Sequence, residues 1–169
     1  MFTSFVRTNP IMAIRQATNS DIEQIAILNL EVQAIHVKIA PEVFCIPSET
    51  EVSDWLTAQI QAENTYVFVA ENDAAIDAYL ILKFITRPQN PFMHAHKFAY
   101  IDHVAVSSSK RMSGIGHGII QHAIEFAASY GYMRVELDVW SKNIAAKGAF
   151  NRQGFNPKTE RLFTESTPL

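Results

Sequence analysis

The stretch from Val104 to Gly118, VAVSSSKRMSGIGHG, constrains the fold more than any other part of the chain. An apolar strand pattern ends at Val106, a small polar loop with two glycines follows, and the next residues carry an apolar stripe at helical spacing. A helix start presents unpaired N–H groups and a partial positive charge, and glycine lets an anion approach the backbone closely. With Lys110 and Arg111 alongside, these features predict a phosphate-binding turn between a strand and a helix.

The rest of the chain alternates strand and helix patterns in the order β-α-α-β-β-β-α-β-α-β, which indicates one α/β domain with a mixed sheet. The predicted strands are Met12–Ala17, Thr65–Ala70, Ile76–Arg87, Lys97–Val106, Met133–Trp140 and Lys158–Glu165. The predicted helices run from the caps at Thr18–Asp21 to about Ala40, from Ser48 to about Ala62, from Gly114 to about Tyr130 and from Asn143 to about Arg152.

Composition narrows the function classes. The 169 residues include 14 Lys and Arg against 17 Asp and Glu, a formal charge of −3, which argues against a nucleic-acid binder that needs a basic face. No apolar run approaches the ~18 residues that cross a bilayer, so no membrane association is expected. A single cysteine, Cys45, makes a reducing cytoplasm the expected location. Residues 1–11 lack the apolar core of a secretory signal and are interpreted as a flexible leader before a domain over 12–169.

The glycine loop does not match the common nucleotide motifs. A P-loop requires Gly-x-x-x-x-Gly-Lys-[Ser/Thr], which the sequence lacks. The string from Gly114 to Gly118 approaches the dinucleotide fingerprint Gly-x-Gly-x-x-Gly but has no glycine at position 119, and it lies late in the chain. Nucleotide binding therefore stays open only as a third hypothesis, in which ATP or NAD would compete with other phosphate ligands.

Two motifs together carry a resemblance to a known family. The sequence from Arg111 to Gly116, RMSGIG, matches [Gln/Arg]-x-x-Gly-x-[Gly/Ala], and this resembles the acyl-CoA pyrophosphate motif of the GNAT superfamily of N-acetyltransferases. The later segment Asn143–Phe155 resembles the second signature of that family, and Tyr100–Val106 looks like its fourth strand. The resemblance covers about Ala13 to Glu165. It implies a single-domain, mostly antiparallel sheet flanked by helices, with two strands splayed at the CoA site.

The same resemblance implies acetyl-CoA as co-substrate, without a metal, and direct attack by an amine on its thioester. Backbone groups at Val104 and Val106 would pair with pantetheine like a missing strand, and an N–H near Val104 would polarise the thioester carbonyl. The backbone from Arg111 to His117 would cradle the diphosphate. The residues expected to hold the cofactor are Val104, Ala105, Val106, Lys110, Arg111, Met112, Ser113, Gly114, Ile115, Gly116, His117, Asn143 and Phe150.

An amine that is protonated at neutral pH needs a base, and Asp102 is the first candidate. Strand alternation predicts Tyr100, Asp102 and Val104 on one face and His103 on the other. His103 has the better unperturbed pKa for the task but is predicted to point away. Glu136 and Asp138, on the next predicted strand, are reserve candidates.

One departure from the family pattern leaves two functions open. Many GNAT members have Tyr where this chain has Phe150, and Phe cannot protonate the leaving thiolate. Ser141 or water could replace it. The first hypothesis is an acetyl-CoA-dependent N-acetyltransferase acting on a small-molecule or protein amine. The alternative is an acyl-CoA-binding sensor with little turnover. Homodimer formation stays open, and His94 with His96 is a poor zinc set without further ligands.

Overall fold

A computed structural model of the chain describes residues 12–166, so the predicted leader over residues 1–11 lies outside the described residues. The described chain forms two compact units, one ending at Asp138 and the other beginning at Val139. The strands of the first unit are β1 (Ala13–Gln16), β2 (Thr65–Asn72), β3 (Ala75–Arg87), β4 (His96–Val106) and β5 (Val135–Leu137). Its α-helices are α1 (Ile22–Ile39), α2 (Glu49–Gln61) and α3 (Ile115–Ser129). The second unit contains α4 (Ile144–Arg152).

The strands form one sheet in the order β1-β2-β3-β4-β5, in which all neighbours are antiparallel except β4 and β5. This confirms the predicted mixed, mostly antiparallel sheet. The β2–β3 hairpin is also confirmed. Its turn residues Asp73 and Ala74 have φ values of 48° and 64°, and two consecutive positive values are what a type I′ hairpin turn requires.

Helices cover both faces of the sheet. On one face, α1 and α2 enclose the main core, where Ile25, Leu56 and Tyr79 are fully buried. On the other face, Phe126 of α3 packs edge-on against Phe68, with ring centroids 5.0 Å apart. The α2 start follows the predicted capping box, because Ser48 accepts from the Glu51 N–H while Glu51 accepts from the Ser48 N–H.

Two strand predictions need correction. The predicted strand Met133–Trp140 shortens to β5, because pairing with β4 covers only Val135–Leu137. The predicted strand Lys158–Glu165 is wrong, since these residues adopt no regular structure and the side chains of Leu162 and Phe163 are 87% and 86% exposed. A strand needs a partner, and the described part of the second unit contains none.

Over residues 12–166, no helix is long and apolar enough to span a bilayer.

Candidate active site

An extra residue in β4 organises the site. Ile81 of β3 pairs with His103 and Leu82 pairs with Ile101, so Asp102 forms a β-bulge without a partner of its own. Because side chains alternate between faces, the extra residue reverses the alternation beyond it. His103 therefore shares the α1/α2 face with Tyr100, which pairs with Lys83. The predicted separation of His103 from Tyr100 is wrong for this reason. The predicted placement of Val104 on the face of Tyr100 is also wrong, since Val104 pairs with Leu80 on the opposite face.

The bulge also changes which residues of β4 direct their backbone N–H and C=O groups toward β3. The Ala99 N–H donates to the Arg134 carbonyl at 2.8 Å, on the side away from β3, whereas the Ser107 N–H donates to the Asp77 carbonyl of β3 at 2.8 Å. In an uninterrupted strand these two odd-numbered residues would point the same way. After the bulge, the peptide groups of Val104 and Val106 therefore face away from β3.

β5 does not cover this part of β4. The β4–β5 pairing joins Ala99–Ile101 to Val135–Leu137 and stops there. From Asp102 to Val106, no strand within residues 12–166 pairs with the edge of β4 that faces away from β3. The exposed edge offers backbone donors and acceptors to an extended ligand, which could pair with it as an additional strand. Ala105 does not contribute to this edge, since its peptide faces β3 and its side chain lies in the buried core.

The turn after β4 presents a row of unpaired donors. A single 3₁₀ turn at Ser108–Lys110 leads to Arg111, and α3 begins at Ile115. No backbone N–H from Arg111 to His117 donates a hydrogen bond within the described chain. Met112 and Gly114 have φ values of 65° and 88°, and backbone that alternates between right- and left-handed conformations forms anion-binding concavities.

A glycine allows this turn to approach β4. A Cβ atom on Gly116 would lie 3.3 Å from Val106 Cγ2, so a side chain at this position would make a tight contact with the strand end and force a small shift of either the Val106 side chain or the helix start. Neither Lys110 nor Arg111 forms an ion pair within residues 12–166. Unpaired N–H groups, a helix start and free cationic side chains fit a diphosphate, and the open edge of β4 fits the extended remainder of coenzyme A.

Two contacts define where this anion site begins. The Ser108 N–H donates to Glu31 Oε2 of α1 at 3.0 Å, so this amide is already occupied. The Ser113 hydroxyl donates to the Lys110 carbonyl at 2.5 Å and closes the turn from within. The Lys110 N–H is also occupied, because it donates to the Ser107 carbonyl at 2.9 Å. The continuous row of available donors therefore starts at Arg111, and the side chains of Met112, Ser113 and His117 are exposed around it.

Charged and aromatic groups converge at the bulge on the α1/α2 face. Lys83 Nζ lies 2.6 Å from Asp102 Oδ2. The His103 ring contacts Trp55 of α2 at a centroid distance of 4.8 Å. Burial lowers the pKa of His103 below the usual 6.5, Asp102 opposes this, and His36 and Lys83 lower it further. A neutral imidazole at neutral pH follows from this balance.

Tyr100 extends the cluster toward β5. Its hydroxyl donates to Asp138 Oδ2 at 3.1 Å. Burial and the nearby Asp138 and Asp102 carboxylates raise the pKa of Tyr100 to about 12. Tyr100 therefore stays protonated at neutral pH, and the reserve candidate Asp138 already accepts a hydrogen bond. Glu136, the other reserve candidate, pairs with Tyr100 in the β4–β5 ladder.

Three predicted site residues lie in the second unit. Asn143 caps α4, with its side-chain oxygen accepting from the Ala146 N–H at 3.2 Å. Ser141 is exposed in the turn before this cap. Phe150 is half-buried and packs against Phe155 with ring centroids 5.9 Å apart. The side-chain amide nitrogen of Asn143 is left as its remaining donor.

Lys83, the ion-pair partner of Asp102, is not among the residues predicted from the sequence. A signal was available, because Lys83 interrupts the otherwise apolar run Ala78–Ile85, AYLILKFI. A charge inside a central strand needs a partner, and the only acidic residue in the predicted neighbouring strand is Asp102.

The chain is similar to known proteins over most of its length. Residues 29–155 match the model of the Acetyltransferase (GNAT) family. A crystal structure of a mutant BH1408 protein from Bacillus halodurans is 30% identical, with a TM-score of 0.85 over 94% of this chain and 99% of that one. A comparison with curated proteins finds no match.

Two solved acetyltransferases share the fold at lower identity. The aminoglycoside N-acetyltransferase AAC(6')-Iy in complex with CoA is 16% identical, with a TM-score of 0.74 over 95% of this chain and 98% of that one. The aminoglycoside 6'-N-acetyltransferase AAC(6')-Ih from Acinetobacter baumannii is 16% identical, with a TM-score of 0.71 over 93% and 99%.

Proposed function

The chain belongs to the acetyltransferase (GNAT) family, and on that premise we propose that it transfers an acetyl group from acetyl-CoA to a primary amine of a small molecule or a protein. The observation that carries this proposal is the row of free N–H groups from Arg111 to His117, which continues from the open edge of β4. Acetyl-CoA, when bound, supplies the acetyl group as an activated thioester.

Different groups of β4 and the following turn would bind different parts of acetyl-CoA. The N–H groups from Arg111 to His117, with Lys110 and Arg111, hold the diphosphate. Val104 and Val106 present peptide groups to the pantetheine arm, and the Val104 N–H donates to the thioester carbonyl as negative charge develops on its oxygen. In the second unit, Asn143 and Phe150 remain proposed cofactor contacts on the strength of the family motif.

The reaction needs one bond exchange and a path for protons. The amine nitrogen bonds to the carbonyl carbon, the carbon–sulfur bond breaks, and CoA leaves as a thiolate. An acceptor that arrives as an ammonium ion gives up two protons, of which one ends on the thiolate and the other in water. The sequence predicts Asp102 as the base that starts this path. Phe150 has no proton to give, so Ser141 or water remains the proposed donor to sulfur, whose pKa near 8.5 makes it a tolerable leaving group.

The test is thiol release from acetyl-CoA in the presence of spermidine, tyramine, kanamycin or a lysine-containing peptide. Kanamycin is included because two structures of the same fold are aminoglycoside acetyltransferases. We expect thiol release with at least one acceptor, matched by an acetyl mass increase on it. CoA should compete with acetyl-CoA, whereas ATP and NAD should not, because the nucleotide hypothesis requires that they do.

A second candidate function is an acyl-CoA-binding sensor, which the phenylalanine at position 150 favours. This function predicts calorimetric CoA binding without thiol release for any amine tested. For either function we propose a reducing compartment, because the single cysteine, Cys45, has no second cysteine in the chain with which to form a disulfide.

A further inference from the structure

We infer that His103 takes the proton from the acceptor amine and that Asp102 acts as a positioning residue for it; this inference rests on the proposed acetyl transfer. The sequence alone favours Asp102, because regular alternation turns His103 to the opposite face. The bulge at Asp102 removes that objection, since it carries His103 onto the α1/α2 face beside Tyr100 and Lys83.

His103 lies next to the reacting position. It precedes Val104, whose N–H faces the open edge of β4 and is proposed to hold the thioester carbonyl. The imidazole is partly buried, and its ring contacts the Trp55 ring at a centroid distance of 4.8 Å. Within residues 12–166 neither ring nitrogen makes a hydrogen bond, so one of them is available to an amine or to a bridging water.

Asp102 is less suited to accept a proton. Its carboxylate forms an ion pair with Lys83 at 2.6 Å, so an amine that used Asp102 as its base would compete with the Lys83 ammonium group for the same carboxylate. That same carboxylate raises the proton affinity of His103, against the opposing effects of burial, His36 and Lys83. Asp102 thus keeps the imidazole basic enough to receive a proton.

The proton path then balances. The neutral imidazole accepts a proton from the amine nitrogen as the carbon–nitrogen bond forms and the carbon–sulfur bond breaks. The imidazolium returns the proton to water or to the departing thiolate, and the neutral ring is restored. No oxidant, metal or other co-reactant is consumed.

The experiment compares His103→Gln, Asp102→Asn and the matched control His94→Gln, whose histidine lies in the exposed β3–β4 loop. Activity is measured as thiol release with the best acceptor of the amine panel, from pH 5 to pH 9. His103→Gln should lower kcat by about a hundredfold and remove the acid limb of the kcat/KM profile below pH 6.5. Asp102→Asn should lower kcat by less than about tenfold and move that limb to lower pH.

Two further readouts do not depend on turnover. The proton resonance of the His103 ring, followed by NMR in the ligand-free chain, should titrate below pH 6.5 and lower still in Asp102→Asn. CoA affinity by calorimetry and the midpoint of urea unfolding should match the wild type in His103→Gln and His94→Gln. If His103→Gln does not fold, His103→Asn and the NMR titration of the wild type carry the same test.

The outcomes separate the two proposals. If the wild type releases no thiol with any acceptor, the proposed function fails and the role of His103 falls with it. If the wild type is active and His103→Gln keeps both its rate within threefold and its acid limb, only the role of His103 is overturned. That role is equally overturned if Asp102→Asn abolishes the limb while His103→Gln retains it.

Discussion

A Cβ atom on Gly116 would lie 3.3 Å from Cγ2 of Val106, so the first turn of α3 and the last residue of β4 are too close for a side chain at this position to fit without a small shift. This approach sets the distance between the free N–H groups at the helix start and the outward peptide groups of β4. A ligand that uses both sets of groups therefore depends on the size of a single side chain.

We expect Gly116→Val to weaken CoA binding by about tenfold, because overpacking by added methyl groups costs about 1–3 kcal/mol and displaces the helix start. Gly118→Ala on the same helix is the matched control. Its Cβ would meet only flexible side-chain ends, chiefly that of Met12, so calorimetry should give a wild-type affinity. If both variants bind CoA with the wild-type affinity, the turn before α3 is not part of the CoA site.

Lys110 and Arg111 should contribute to CoA affinity only through the diphosphate. Replacing both Lys110 and Arg111 by Ala should lower CoA affinity by about tenfold, since charge-assisted hydrogen bonds to an exposed anion are lost. Affinity for pantetheine, which has no diphosphate, should not change. Arg87→Ala removes a cation at the opposite end of the β3–β4 pair and should leave CoA binding intact. A parallel loss for pantetheine would contradict this assignment.

Much of the scaffold follows from local sequence. The Ser48–Glu51 capping box, the β2–β3 hairpin and the glycine turn each carry a short-range physical signature, and all three form as predicted. The bulge at Asp102 left no clear trace, since β4 reads HKFAYIDHVAV and contains no regular alternation that one extra residue would interrupt. A rule based on two-residue alternation cannot detect one inserted residue, so it assigns every side chain beyond the bulge to the wrong face of the sheet.

The C-terminal error has a different origin. Lys158–Glu165 has acceptable strand composition, but strand formation depends on an available partner, which local composition does not encode. The shortening of β5 has the same cause, because its pairing with β4 ends at Ile101 and Leu137. Tertiary pairing decides both segments.

A buried hydrogen bond should tie α1 to the sheet beneath the site. Asn29 Nδ2 donates to the hydroxyl oxygen of Tyr79 at 2.8 Å, in a region without solvent access to the phenol. Tyr79→Phe leaves the amide unsatisfied and should lower the free energy of unfolding by about 1–3 kcal/mol. Combining it with Asn29→Ala in a urea double-mutant cycle should give a coupling of about 1 kcal/mol. Strict additivity would show that the bond contributes nothing.

The ion pair between Arg15 and Asp21 stabilises the fold at neutral pH, and this stabilisation is lost in acid. The Arg15 guanidinium lies 2.8 Å from Asp21 and, despite burial of that carboxyl, lowers its pKa to about 2. Because the folded-state pKa is below the unfolded value of 3.8, the stabilisation is complete well above that unfolded value and is lost as pH falls toward 2.

Asp21→Asn should therefore lower the free energy of unfolding by about 1–2 kcal/mol at pH 7, with half-exposed Arg15 limiting the effect. The difference from the wild type should shrink between pH 4 and pH 2 in urea titrations. Glu71→Gln, which removes the other carboxylate from Arg15, should cost less. A deficit that is constant across this pH range would assign the effect to the helix cap instead.

The bulge makes β4 sensitive to a kind of change that substitution scanning does not sample. Removing Asp102 itself would make the pairs Leu82–Ile101 and Ile81–His103 consecutive, so the Val104 amide would still face outward. Removing a paired residue beyond the bulge, such as Ala105, would instead turn the Val106 amide into the sheet ladder, out of reach of any ligand. A series of single-residue deletions and insertions along β4 would therefore show which peptide groups must face outward for activity. Two compensating length changes, one on either side of the bulge, should restore the activity that each change alone destroys.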